Sequence, residues 1–473
     1  MITMMHETKV EMNEAPSKRR VIVVGAGIAG LATAYYLRKH GVDVKIFERG
    51  KAVGGLIRTT LEKERYLVEH GPIAFPSNEE TLIKLARELS VDTQLVSSPA
   101  SCQKRYVLRH GKLVALPLGL QSFLTTRALS FTGKLRLLAE PWISPCTEEE
   151  ESIASFVRRR AGNEVLERLL DPLVSGIYAG DPEQLSMRSV FPHTMELEEE
   201  YGSVLKGMIK TRKNTQKRAK TLSSFRWGMG TIPARLEEVL RRELQLQTTV
   251  DSVERLPQGS LSIRLEAPRR TFEADAVVLA TPAWVTARLV ASVAPGMTSP
   301  LVGIPYVSLV VVTTAFKRDQ VPHKLDGFGC LIPRCERVRM LGSIWSSTLF
   351  SGRAASDEVL FTNFIGGALD STAIELEDHE ILSHISDGLE KTVGVMNVPT
   401  FVSIRRREQA LPQYVLGHQK RIDDIVSEAS RVPGLFLTGN YFSHVSVPGT
   451  IEHARTTADR VLKFFGMRSI LKT

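Results

Sequence analysis

Residues 20–59 open with Arg20-Val21-Ile22-Val23-Val24-Gly25-Ala26-Gly27-Ile28-Ala29-Gly30, and the reading of this stretch decides the fold. The apolar run Val21–Val24 predicts a buried strand, and the residues to about His40 predict an amphipathic helix. A second strand, Val42-Asp43-Val44-Lys45-Ile46-Phe47, ends on Glu48. Each part has a physical reason. Gly25 allows a sharp turn out of the strand, and Gly27 lets backbone N–H groups approach a pyrophosphate. Gly30 lets the helix pack closely on the sheet, with its positive N-terminal end toward the phosphates. Glu48 lies 18 residues beyond Gly30, where a carboxylate accepts hydrogen bonds from ribose hydroxyls. A strand, a glycine turn, a helix and an acid in this order predict a dinucleotide site.

The next residues narrow the nucleotide. Glu48-Arg49 leads into a second glycine pair in Gly54-Gly55-Leu56-Ile57-Arg58-Thr59. This extension resembles the flavin-dependent amine oxidase and protoporphyrinogen oxidase superfamily, in which it continues the FAD diphosphate site. The resemblance implies FAD contacts at Gly25, Ala26, Gly27, Ile28, Ala29, Gly30, Glu48, Arg49, Gly55 and Leu56. A strand ending in His70-Gly71-Pro72-Ile73 matches the superfamily's approach to the isoalloxazine, so Gly71, Pro72 and Ile73 are expected there. Thr248-Thr249-Val250-Asp251 fits the strand beside the adenine, with Val250 as the backbone contact. Thr438-Gly439-Asn440 and the loop through Val445, Ser446 and Val447 match the last flavin contact, ahead of a helix expected from about Glu452. Its positive end would stabilise charge developing on the flavin pyrimidine.

At 473 residues the chain is long enough for two or three domains. The balance of 61 Lys+Arg against 52 Asp+Glu gives +9, which suits an anionic membrane surface or an acidic substrate. No zinc-finger or RNP pattern supports nucleic acid, and none is expected as a partner. The four cysteines form no CxxC or metal spacing, so they read as reduced thiols of a cytoplasmic protein without a metal. Met1–Arg20 has no apolar core for a signal peptide. Val21–Leu37 and Met297–Phe316 lack charges, but the glycine motif explains the first. Pro300, Pro305 and the run Val310–Thr314 make the second a buried strand, so no transmembrane segment is expected.

A narrower pattern runs through the rest. Arg105-Tyr106-Val107-Leu108 turns at His110-Gly111 into Lys112-Leu113, with Pro117 beyond. Asp171-Pro172-Leu173-Val174-Ser175-Gly176-Ile177-Tyr178-Ala179-Gly180, Gly228-Met229-Gly230, Gly327-Phe328-Gly329 and Pro412-Gln413-Tyr414 with Gly417-His418 follow in order. Over about residues 20–465 these motifs resemble the protoporphyrinogen/coproporphyrinogen oxidases of haem synthesis. The fold implied is α/β: a doubly wound, Rossmann-like FAD-binding domain with a substrate-binding α+β domain and an inserted helical, membrane-associating subdomain. The expected division is a leader at 1–17, FAD-binding segments at 18–92, 223–300 and 400–468, a helical subdomain at 93–222, and a substrate-binding domain at 301–399.

The reaction that the resemblance implies is six-electron dehydrogenation of protoporphyrinogen IX, with coproporphyrinogen III as the alternative substrate, dioxygen as oxidant, hydrogen peroxide released and no catalytic side chain assigned. Gly176 and Ile177 match the family's macrocycle loop, and Tyr306 and Val307 are further pocket candidates. Implied partners are the porphyrinogen, dioxygen, an anionic membrane surface on the inner face of the cell membrane, and a haem-pathway enzyme such as ferrochelatase. Oligomeric state stays open, a homodimer being one option. The apolar stretch from Leu116 to Pro145 reads either as an interfacial membrane segment or as a core helix. The bases Lys206, Lys210, Arg212, Lys213, Lys217, Arg218 and Lys220 read as a lipid-facing strip or a solvated face.

Three departures from the family pattern stand out. His444 and Ser446 occupy positions where relatives have glycines, and Gly449-Thr450 stands where an acid is usual; His444 is either a proton shuttle or an exposed loop residue. Relatives carry a Trp before Pro-Gln-Tyr where this chain has Arg405-Arg406-Arg407. No Arg follows the Gly-Pro turn, which leaves Arg407 or Arg353 as carboxylate partners. Rival readings are a flavin amine oxidase or desaturase, a sugar mutase, and a flavin-binding protein without activity.

Overall fold

The computed structural model describes residues 19–117, 126–146, 150–211, 221–442 and 445–471. Val21–Val24 are buried on both faces, as a near-continuous apolar run requires in a parallel sheet. Five parallel strands form that sheet in the order Leu244–Gln245, Asp43–Phe47, Arg20–Val24, Ala276–Leu279 and Leu435–Leu437. Helices Ile28–Lys39 and Val447–Phe464 cover one face, through Leu31, Ile451, Ala454 and Ala458. A three-stranded antiparallel sheet (Val250–Arg255, Leu261–Leu265, Thr271–Ala274) and helices Ala283–Leu289 and His418–Ser430 cover the other. The expected doubly wound layer is present.

A seven-stranded mixed sheet forms the second layer. Its order is Phe401–Pro412, Tyr306–Lys317, Glu358–Gly366, Gly342–Ile344, Gly327–Leu331, Lys104–Arg109 and Lys112–Ala115. The stretch around Val310–Thr314 is a buried strand as expected, paired on both sides along Tyr306–Lys317. The hairpin Thr59–Glu62/Tyr66–Glu69 joins the layers: the Tyr66 ring stacks on Phe401 at 4.2 Å, and its hydroxyl donates to Glu358 Oε2 at 2.9 Å.

Two domain boundaries differ from the expected ones. The hairpin Lys104–Ala115 and the strand Phe401–Pro412 satisfy their backbone groups within the seven-stranded sheet. Among the described residues the first α-helix after this hairpin is Phe131–Leu138, and helix His418–Ser430 is the first element of the nucleotide layer after strand Phe401–Pro412. The helical part packs around Ile153, Phe156, Val174, Tyr178, Leu185 and Met187, with Tyr414 from outside it. Glu140 ties two of its segments together by accepting from Ser203 Oγ (2.5 Å), Val204 N (3.0 Å) and Leu205 N (3.2 Å) at the start of helix Val204–Thr211. Among the described residues no helix is long and apolar enough to cross a membrane, and no disulfide joins any of the four cysteines.

Candidate functional site

The glycine turn is built by exclusion of side chains. Gly25 has φ +101°, and a Cβ there would lie 2.8 Å from Ala280 O. A Cβ on Gly30 would sit 1.9 Å from Gly25 O, so strand end and helix start touch backbone to backbone. Gly27 differs: a Cβ there would meet no protein atom within 4 Å. It opens onto a cradle whose floor is the start of helix Ile28–Lys39, which has no side-chain cap and no acid in its first turn. Those unpartnered donors and the helix dipole favour a diphosphate. Gly54 and Gly55, both at positive φ, form the adjoining wall, with Gly54 N–H donating to Ala26 O at 2.8 Å.

Glu48 closes the cradle. Its Oε2 accepts from Ala26 N and its Oε1 from Gly50 N, each at 2.7 Å, which aims the carboxylate while leaving a second lone pair on each oxygen for ribose hydroxyls. Arg49 is exposed beside it. Thr248 N donates to Glu48 O at 2.8 Å and Gln247 N to Gly50 O at 3.0 Å, so the strand of Val250 is fastened to the same loop. A backbone-walled groove carrying one carboxylate fits FAD.

Beyond the cradle the hairpin leads into His70-Gly71-Pro72-Ile73. A Cβ on Gly71 would lie 2.3 Å from Leu56 O, which brings the expected isoalloxazine segment against the diphosphate segment. Ile73 is buried, and its carbonyl accepts from Ser224 Oγ at 2.9 Å. Glu69, beneath, accepts from Thr59 Oγ1 (2.5 Å) and Met229 N (2.9 Å), with the Arg353 guanidinium 3.7 Å away. Burial pushes its carboxyl up to about 7 against the pull of Arg353. Arg353 is itself buried, donating to Ser224 Oγ and Phe225 O. His70 meets Thr60 Oγ1 at 2.8 Å; burial, with Arg405, Arg407 and Arg58 nearby, holds its imidazole down to about 4, so it is neutral at pH 7.

The closing loop is braced from the other layer. The Tyr414 hydroxyl donates to Asn440 O, and His418 Nε2–H donates to Tyr441 O at 2.9 Å. Val445 packs on the helical core. The last helix starts at Val447, five residues earlier than expected, because Ser446 caps it by accepting from Gly449 N at 3.2 Å and Pro448 stands in its first turn. His444 lies outside the described residues, as do Leu118–Thr125 of the apolar stretch and Arg212–Lys220 of the basic run.

On the substrate side, Gly176 and the half-exposed Ile177 end helix Asp171–Tyr178. A Cβ on Gly176 would lie 2.5 Å from Leu331 Cδ2, so this helix abuts strand Gly327–Leu331. Gln413 Nε2 fastens the turn by donating to Tyr178 O at 2.9 Å. Tyr306 packs against the nucleotide-layer core with its hydroxyl accepting from Ala283 N at 3.0 Å, and Val307 is buried next to it. An apolar cluster of Ile73, Leu349 and Phe350, with Phe328, Ile344 and Phe364 of the seven-stranded sheet packed on it, joins the segment after Gly71-Pro72 to that sheet. The exposed Arg105 guanidinium stands 5.8 Å from the Phe328 ring. Sequence reasoning quoted Arg105 only as part of a motif. The alternation Lys104-Arg105-Tyr106, with Tyr106 facing the core, was the signal that Arg105 faces the other way.

The sequence profile described as flavin containing amine oxidoreductase matches residues 28–462. The mitochondrial protoporphyrinogen oxidase of Nicotiana tabacum is 31% identical, over 95% of this chain and 95% of its own length. The coproporphyrinogen III oxidase of Bacillus subtilis (strain 168) is 28% identical, over 94% of this chain and 98% of its own. The crystal structure of a protoporphyrinogen oxidase candidate from Exiguobacterium sp. 255-15 superposes with a TM-score of 0.81 at 25% identity, covering 94% of this chain and 99% of that one.

Proposed function

The chain belongs to the flavin-containing amine oxidoreductase family, as an FAD-dependent oxidoreductase, and from that premise we propose that it oxidises a porphyrinogen to the porphyrin. The observation that carries this reading is the near full-length similarity to proto- and coproporphyrinogen oxidases. Overall, six hydrogens leave the substrate and three dioxygen molecules become three of hydrogen peroxide. Bound FAD supplies the two-electron acceptor for each of three cycles.

The residues of this chain bind and orient. Gly25–Gly30, Glu48 and Gly55 hold the diphosphate and ribose end, and Gly71-Pro72 and Asn440 frame the flavin ring. The half-buried Phe328 and Phe364, backed by Ile73, would offer apolar surface to a macrocycle, with Gly176 and Ile177 beside Leu331 as a further contact. Arg105, free on the wet side of Phe328, suits a carboxylate at the rim. No side chain is assigned as the base: His70, held down to about 4, is a weak proton acceptor at pH 7, and Glu69 is sealed under the hairpin.

The deciding experiment is aerobic turnover on freshly reduced protoporphyrinogen and coproporphyrinogen in parallel, read by porphyrin fluorescence as kcat/KM. A strong preference for either identifies the substrate. Rates on both no higher than autoxidation overturn the reading.

We propose further that the protein docks on an anionic membrane surface from the cytoplasmic side. Phe131, Leu135, Leu138 and Trp142 are exposed along one helix and its exit, Trp142 at 82%. Glu140 holds this segment to helix Val204–Thr211, whose Ile209 and Met208 are exposed near Lys206 and Lys210. Exposed aromatic, aliphatic and basic residues on these two joined segments suit a headgroup layer, each base contributing about 1 kcal/mol. Vesicle flotation tests this: phosphatidylglycerol vesicles should carry the wild type but not F131S/W142S, and equal flotation would refute it.

A further inference from the structure

The cleft roof carries more positive charge than the protein neutralises. Opposite residues of paired strands share a sheet face, so Arg405, Val311 and Phe364 project together, with Arg407 and Leu309 two positions on. That face looks onto the hairpin and His70, since Arg405 reaches Glu62 at 2.5 Å and Arg407 Nε donates to His70 O at 3.3 Å. Arg58 lies on the hairpin's approach, its carbonyl accepting from His70 N at 2.9 Å. Three guanidinium groups thus converge beside Gly71-Pro72, and Glu62 offsets one.

Among the described residues Arg58 and Arg407 make no ion pair, and Arg407 Nη2 is buried with no hydrogen-bond partner. A buried guanidinium nitrogen facing only like charges is costly unless an anion completes it. Arg406, one residue away, shows the contrast: it projects to the other face and is satisfied by Asp378, Ile374 O and Leu376 O.

We propose that Arg407, flanked by Arg58, is the inner carboxylate-binding subsite of the cleft, so that this enzyme selects substrates bearing an acidic side chain. The identity of that side chain as a tetrapyrrole carboxylate rests on the function proposed above; the subsite itself does not. A planar guanidinium anchored through Nε presents its remaining N–H groups as a fork, the geometry a carboxylate matches.

The test uses FAD-loaded wild type, R407M and R407K and two ligand pairs. The pairs are coproporphyrin III against its tetramethyl ester, followed by fluorescence quenching, and 2-naphthoate against 2-naphthamide, followed by perturbation of the flavin absorbance. In the wild type each acid should bind more tightly than its neutral partner. R407M should weaken the acids about ten- to hundredfold, move the neutral ligands by no more than about twofold, and leave flavin content unchanged. R407K should recover part of the loss. Equal weakening of acid and neutral ligand, or no weakening of the acids, overturns the proposal. So does a fall in flavin reduction potential with acid selectivity intact, which would assign the cluster to the coenzyme. If the wild type neither oxidises porphyrinogens nor binds the porphyrin pair, the function fails, and the naphthoate pair still decides the subsite.

Discussion

The nucleotide cradle draws its principal walls from residues 20–59 and builds them of backbone, whereas the cleft we propose beside it would be walled by side chains of Ile73, Arg105, Phe328, Phe364 and Arg407, together with Gly176, drawn from the whole chain. The first is specified by what must be missing, the second by what distant strands happen to bring together. Changes in the cradle should therefore act as switches on coenzyme occupancy, and changes in the cleft as graded effects on ligand recognition.

Gly27 and Gly30 break that comparison most sharply. An Ala at Gly30 places Cβ 1.9 Å from Gly25 O, and Gly25 cannot retreat because Ala280 O is behind it. G30A should lose on the order of 3 kcal/mol of stability and all FAD. G27A adds a Cβ that meets no protein atom, so apoprotein melting should change by little more than a cap effect, about 0.5 kcal/mol, while FAD affinity falls at least about tenfold. Thermal melts of apoprotein and FAD titration separate the two. If G27A binds FAD normally, the open side of Gly27 does not face the coenzyme.

The same contrast explains what could be read from sequence. Gly25, Gly30 and Glu48 answer demands made within one βαβ unit, so their spacing alone announces the layer. The last helix begins earlier than the loop-like composition of Val445–Gly449 suggests, although Ser446 followed by Pro448 is a readable cap. The strand at Arg405–Arg407 gave no sign of its partners: it pairs with residues about a hundred positions earlier and meets His70 more than three hundred away. Alternation shows that Arg405 and Arg407 share a face, but only the fold shows which.

Glu69 sits where the two regions join, and its titration measures how dry that joint is. The folded carboxyl holds its proton up to about pH 7, against an ordinary value of 4.5. Between those values the folded chain binds more protons than the unfolded one, so stability from this group falls as pH rises from about 4.5 to 7 and is flat above, by at most about 3 kcal/mol. His70, His418 and His453, each held down to about 4, slope the opposite way between about 4 and 6.5. Only the difference between wild type and E69Q isolates the carboxyl. Denaturant melts at pH 5, 6, 7 and 8 should show E69Q gaining on the wild type as pH rises, and parallel curves would mean water reaches Glu69.

Within the cleft, G176V should push Leu331 aside from a contact already at 2.5 Å for a bare Cβ. The flexible Leu end can yield, so the expected cost is about 1–2 kcal/mol, felt as a rise of about tenfold in KM with flavin content unchanged. A loss of flavin instead would mean that the helix lip and the cradle are not separable.

Tyr414 offers the finest cut, because it belongs to the strand side yet acts on the coenzyme side. Its hydroxyl donates to Asn440 O, its ring stacks on His418 at 4.4 Å, and His418 in turn holds Tyr441 O. Y414F deletes one hydrogen bond and keeps the stack, leaving a carbonyl that water can reach from the partly exposed Asn440. The cost should be about 1 kcal/mol, seen as an FAD dissociation rate about fivefold faster with KM unmoved. H418N, which disturbs the stack as well, should release FAD faster still. If Y414F raises KM and leaves FAD dissociation untouched, the closing loop serves the cleft, and the division between a backbone-built cradle and a side-chain-built cleft runs one segment further along the chain than the hydrogen bonds indicate.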